Sequence, residues 1–223
     1  DGGSENDAYR NSDPQTYTRA IEEITDAGGW VIRVGDPHMR PMPAMPNFVD
    51  YAHSSFISKE MDVFLLASSR FTIGTSSGPF TISKCFGVPV LLTNLLPFLA
   101  VYVLDGRDIV LPRLCRRING GELLDFTELL SPPVSMLSGA GSYHFLGLEW
   151  IENTSEELTL ATREMIKRTE EGFVDRENRE EGNLQRRFRA LCDDTVHLHG
   201  NVPTGLNARV STDFLRCYSR LLD

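Results

Sequence analysis

The chain has 223 residues, 41% hydrophobic and 24% charged, the profile of a water-soluble globular protein with room for one large domain or two small ones. Lys and Arg number 22 against 31 Asp and Glu, and the formal net charge of −9 argues against nucleic acid as a main partner. The most apolar run, Val88 to Leu104, is broken by Pro89, Thr93, Asn94 and Pro97, short of the ~20 apolar residues of a membrane span; an integral membrane protein is excluded, and only peripheral association stays open.

Ser12-Asp13-Pro14 predicts a helix start, a polar cap followed by Pro at the first helical position. Tyr17, Ala20, Ile21 and Ile24 follow at helical spacing, and Gly28-Gly29 ends the helix in a left-handed cap. Trp30 to Val34, four of five residues bulky or β-branched, predicts a buried strand. Gly35 to Pro46 holds four Pro and three Met and predicts a loop at that strand's carboxyl edge. Phe48 to Tyr51 is a short strand candidate, and Ser58 caps an expected helix with Met61, Phe64, Leu65 and Ser68 facing inward. Arg70 to Gly74 reads as a strand, Pro79 to Phe86 as a short helix closed by Gly87, and Val88 to Leu92 as another strand. This alternation predicts an α/β fold with a mostly parallel sheet and helices on both faces.

Beyond Asn94 the pattern loosens. Leu95 to Val103 is apolar and aperiodic, Asp108 to Leu111 suggests a strand, and Gly121 to Ser142 mixes short helical and turn signals. Leu148 to Ile151 reads as a last strand, and Thr154 with Glu157 forms a capping box opening a long helix whose apolar stripe is Leu158, Ala161 and Met165. Charges of both signs alternate from Arg163 to Arg189, which reads as solvated helical surface. Ser211 caps a terminal helix over 211–222 whose Phe214, Leu215, Tyr218, Leu221 and Leu222 share one side and dock it on the body. There is no internal repeat, and residues 1–223 read as one domain.

Cys85, Cys115, Cys192 and Cys217 lie far apart with no C-x-x-C pair, so neither a zinc knuckle nor a disulfide scaffold is expected, and a reduced, cytoplasmic compartment is the default. With neither an initiator Met nor a signal segment at Asp1, the chain is expected to start partway through a longer one.

The segment with the most chemistry is Gly74-Thr75-Ser76-Ser77-Gly78. A strand ending at Gly74, four small residues and a helix beginning at Pro79 bring unpaired amides and hydroxyls to a positive helix terminus, where a phosphate binds without a lysine. The alternative is that Ser77 merely caps the helix, but four small hydrogen-bonding residues exceed what a cap requires. Arg33, Gly35 and Asp36 follow another strand. Arg33 could meet a diphosphate bidentately and Asp36 a base or ribose hydroxyl; alternatively the two form an internal ion pair.

The runs from Tyr9 to Pro37 and from Phe48 to Asn94, with Trp150 to Met165 and Phe214 to Asp223, resemble bacterial glycosyltransferase-like proteins of surface-polysaccharide gene clusters across almost the whole chain. The layout is similar, more distantly, to GDP-fucose-dependent fucosyltransferases, with Asp36, Asp62 and Thr75-Ser76-Ser77 at the corresponding places. The resemblance implies the C-terminal, Rossmann-like donor-binding half of a GT-B glycosyltransferase. It implies a nucleoside-diphosphate sugar as donor substrate, a glycan acceptor, no metal and no separate cofactor. It also places a further strand, ending in a His-x-Arg-like phosphate-binding element, before Asp1. A noncatalytic nucleotide- or phosphosugar-binding or assembly module is the alternative, and an epimerase on the same fold a third option. No catalytic residue is assigned; Asp36 is a conceivable general base, and the half of the enzyme before Asp1 the stronger source of one.

Other residues carry less. His197 and His199 have spacing that could serve a metal but lack an acidic or thiol partner pattern. His38 and His53 lie in loops beside the proposed site, and Asp62 is expected to bond a neighbouring loop backbone. Asn153-Thr154-Ser155 matches a glycosylation sequon but is read as a helix cap.

Overall fold

A computed structural model describes residues 11–97, 104–175, 178–196, 198 and 207–223; His197 and His199 lie outside them. The protein is α/β. A four-stranded parallel sheet has the order β3 (Thr72–Gly74), β4 (Val90–Leu95), β5 (Ile109–Pro112) and β8 (Arg209–Val210). Thr72 lies beside Val90, Leu91 beside Ile109 and Ile109 beside Arg209. Two smaller sheets accompany it: β1 (Val31–Ile32) pairs parallel with β2 (Phe48–Val49), and β6 (Leu114–Arg117) antiparallel with β7 (Leu148–Ile151).

The central strands are buried along their length, with Leu91, Leu92, Leu95, Ile109, Val110 and Leu111 at zero exposure. Each such side chain contributes roughly 1.5–3 kcal/mol relative to exposure. Two groups of helices pack around this sheet: α2 (Lys59–Ser68) with α3 (Gly78–Cys85), and α1 (Thr18–Asp26), α6 (Ser155–Arg168), α7 (Arg179–Val196) and α8 (Thr212–Cys217). The short α4 (Phe126–Leu130) packs on α7, where Phe126 meets Phe188 edge-on at 5.1 Å, and α5 (Ala140–Phe145) packs on β7.

The local signals hold where the chemistry is local. Asp13 accepts the Gln15 amide, Pro14 opens a 3-10 turn that runs into α1, and Gly28 adopts φ +83° at its end. Ser58 accepts from the Met61 amide at 3.1 Å, and Thr154 and Glu157 form both halves of the capping box. Leu158, Ala161 and Met165 are buried as the stripe predicts.

Four expectations fail for reasons of packing. The strand at Trp30 is two residues long and not buried: Trp30 is 67% exposed and Ile32 42%, because β1 pairs only with the equally short β2 among the described residues. In α2 Met61, Phe64 and Ser68 are exposed, Leu65 is half-buried, and Leu66 is the residue that enters the core, so the inward face is rotated from the one predicted. The strand at Leu148 is not the last, since β8 follows it, and it stands outside the parallel sheet, paired antiparallel with β6. The terminal helix docks through Phe214, Leu215, Leu221 and Leu222, but it breaks at Tyr218 into α8 and a 3-10 turn, and the Ser211 side chain does not cap it. No helix among the described residues is long and apolar enough to cross a membrane, and all four cysteines are free thiols.

Candidate functional site

The Gly74–Gly78 loop joins the carboxyl end of β3 to the start of α3. Ser77 occupies the N-cap position with extended backbone (φ −123°, ψ 171°), yet its side chain makes no capping hydrogen bond. Its amide and hydroxyl both donate within the loop to the Thr75 carbonyl, at 2.7 and 3.4 Å. With Pro79 lacking an N–H, the amides of Gly78 and Phe80 open the helix without a capping bond from the Ser77 side chain. Gly74 and Gly78 have no atom within 4 Å of where a Cβ would stand, so the loop backbone is approachable from outside. A helix terminus in this state carries partial positive charge and undirected donors, which is what an oxyanion needs.

Behind the loop, a polar chain that no sequence motif marks runs across the carboxyl ends of β3, β4 and β5. Thr93 donates to the Gly74 carbonyl at 3.1 Å and shares a hydrogen bond of 2.6 Å with the Tyr17 hydroxyl. The Asn94 side-chain amide reaches the same hydroxyl at 3.4 Å. Asn94 is buried in the left-handed region (φ +49°), where its amide donates to Asn153 Oδ1 at 2.6 Å while its own Oδ1 accepts from the Asn153 amide at 2.8 Å. Arg113 has zero exposure; its Nε donates to Asn94 Oδ1 at 3.2 Å and its Nη2 to the Asn11 carbonyl at 2.7 Å, with Glu152 Oε1 at 3.3 Å. Burial lowers the pKa of Arg113, and the nearby Glu152 opposes that shift. The signal that could have found this cluster is an arginine inside the otherwise apolar run Ile109 to Cys115. Asn153 is 3% exposed and also donates to the Pro112 carbonyl, so its amide is unavailable as a sequon.

Arg33, Gly35 and Asp36 make their contacts elsewhere. Arg33 does not pair with Asp36: its Nη1 lies 3.1 Å from both carboxylate oxygens of Asp50, while Nη2 is buried with no hydrogen-bond partner among the described residues. Asp50 also accepts the Met42 amide at 2.9 Å and faces His53 Nδ1 at 3.1 Å; His53 Nε2 meets the Met39 carbonyl at 2.8 Å. Asp50, which no local motif marks, is thus the post around which the loop of residues 35–46 is wound. Asp36 is exposed and accepts from the His38 backbone and ring, at 2.8 and 2.7 Å, which lowers its pKa. Gly35 has φ +158°, and a Cβ there would meet Met39 Sδ at 2.8 Å, so the loop turns tightly at that point. One carboxylate oxygen of Asp62 is buried without a partner among the described residues, so the expected bond to a loop backbone is not made by that atom.

No group of His, Cys, Asp and Glu among the described residues is arranged to hold a metal ion. Comparison with protein-family models, with curated proteins and with solved structures finds no match to this chain.

Proposed function

We propose that this chain is the Rossmann-like donor-binding half of a GT-B-type glycosyltransferase, which transfers a sugar from a nucleoside-diphosphate sugar to a surface-polysaccharide acceptor. The observation that carries the reading is the α3 terminus, left without a side-chain cap at the carboxyl end of a parallel strand, where ligands of open α/β sheets dock. Amides and hydroxyls of Thr75, Ser76 and Gly78 would hold the diphosphate, joined by those of Ser77 as they turn from the Thr75 carbonyl, and would meet the charge that grows on it as the glycosidic bond breaks. Gly35 and Asp36 would line the nucleoside side. Arg33 would act there through Asp50, by fixing the 35–46 loop, since its buried guanidinium is not free to clamp a phosphate.

That sequestered guanidinium is also what favours the second reading, a noncatalytic module that binds a nucleotide or phosphosugar within a polysaccharide assembly. Calorimetric titration with GDP, UDP, ADP, CDP and dTDP tests the shared binding site. The expected result is selective binding of one diphosphate, abolished in Ser77→Trp; because Ser77 makes no cap bond, that variant should lose under ~1 kcal/mol of stability. At one hundred times its dissociation constant the ligand should add about 2.7 kcal/mol. Equal affinity in wild type and variant would overturn the site. Release of sugar from the matching nucleotide-sugar then separates enzyme from module.

A further inference from the structure

The opposite edge of the same sheet carries a second concavity. Arg70 stands just before β3, Pro89 before β4 and Arg107 before β5, while Arg168 closes α6 and Phe173 follows it; together they line a cavity of about 400 Å³. Three guanidinium groups from three separate segments therefore converge at the amino ends of parallel strands.

Their pairing leaves donors unused. Arg70 gives Nε to the Thr169 hydroxyl at 3.0 Å and Nη2 to the Ile166 carbonyl at 2.6 Å, so it offsets the negative end of α6 but pairs with no carboxylate among the described residues. Arg168 is 13% exposed, with Nη1 on Asp175 at 2.8 Å and its guanidinium 5.4 Å from the Phe173 ring centre. Its Nε is buried and has no acceptor among the described residues. An N–H of a charged group left so is costly; being buried, it lies out of reach of a molecule in the cavity, to which Arg168 lends positive charge and not this donor. Arg107 is 60% exposed and holds Asp105 from the rim. Asp175 and Glu170 also line the cavity, which keeps its charge small and suits a compact group over a polyanion.

We propose that this amino-edge cavity binds a compact oxyanion, a phosphate or carboxylate group carried on a small polar molecule, with Arg70 and Arg107 as donors and Arg168 adding positive charge behind them. It is a site separate from the Gly74–Gly78 loop and independent of the nucleotide reading, because the two lie at opposite ends of the strands.

The test is a titration of the protein with inorganic phosphate, and in parallel with acetate, at constant ionic strength. The readout is the arginine Nε–Hε resonances, assigned by single substitution. The expected result is a saturable shift of the Arg70 and Arg107 signals with at least one of the two anions, which names the preferred source. Arg70→Gln or Arg107→Gln should weaken it about tenfold, the loss of one charge-assisted hydrogen bond. Ser77→Trp should leave it unchanged. A shift that does not saturate with either anion, or that persists at full affinity in both arginine variants, would overturn the proposal whatever happens at the nucleotide site. Thermal melts of both variants establish that any loss reflects binding and not unfolding.

Discussion

Two aspartates fourteen residues apart show how burial sets the worth of a carboxylate. Asp36 is 53% exposed, and its hydrogen bonds to His38 stay within one turn of loop. Asp50 is 16% exposed and gathers Arg33, the Met42 amide and the His53 ring from three places in the chain. Removing a partner from such a buried cluster strands the groups that remain, whereas an exposed pair is replaced by water. Asp50→Asn is therefore expected to lower stability by about 2–4 kcal/mol and to open the 35–46 loop to proteolysis. Asp36→Asn should stay within about 0.5 kcal/mol of wild type. Urea denaturation of the two variants with limited proteolysis checks this, and equal losses would contradict the assignment of Asp50 as the post. The sequence offers Asp36 as the more conspicuous residue, since Gly-Asp-Pro marks it; nothing local to Asp50 announces that Arg33, seventeen residues earlier, will fold back on it.

Whether an element can be read from sequence depends on where its determinants lie. The start of α6 and its buried face are legible because the Thr154–Glu157 box and the Leu158, Ala161, Met165 stripe are internal to the helix. The β3–loop–α3 unit is legible for the same reason: Gly74, the small residues and Pro79 are six consecutive residues. The Asn94–Asn153–Arg113 cluster is not, since it joins residues up to 59 positions apart, and the left-handed Asn94 looks like any strand-end asparagine. Helix α2 shows the failure most plainly: its apolar residues surround it, so periodicity cannot choose a face, and tertiary packing selects Leu66 at 5% exposure while leaving Phe64 at 61%. Leu66→Ala should accordingly cost about 2–4 kcal/mol and Phe64→Ala less than about 1 kcal/mol in the same denaturation assay. The reverse order would mean that α2 turns its other face to the core in solution.

Across the whole molecule, charged groups lock the amino edge of the sheet to the helices around it, and they respond to pH in opposite senses. Lys84 of α3 bonds Asp105 at 2.8 Å and lies 2.7 Å from the buried Asp108 that precedes β5. Partial burial of Asp105 would raise its pKa, but hydrogen bonds from Lys84 and Arg107 outweigh that and hold the carboxyl well below the usual 3.8. The stability it lends is present above 3.8 and fades as pH falls through the depressed folded value. Glu164 of α6 behaves the other way. It accepts the Thr212 amide at 2.8 Å and hydroxyl at 3.0 Å and lies 3.8 Å from Arg209, yet loss of hydration dominates and raises its pKa above 4.5. The folded protein then binds this proton more tightly than the unfolded chain does, so Glu164 disfavours folding at neutral pH and ceases to do so as pH falls from above its raised value toward 4.5. Glu164→Gln keeps an acceptor for Thr212 and removes the titration. The difference in unfolding free energy, wild type minus variant, is therefore expected to increase as pH is lowered from about 8 to about 5. Urea melts of both proteins across that range provide the measurement. A difference that stays flat or decreases would show that the hydrogen bonds from Thr212 and the charges of Arg209 and Arg168 outweigh burial at this carboxylate.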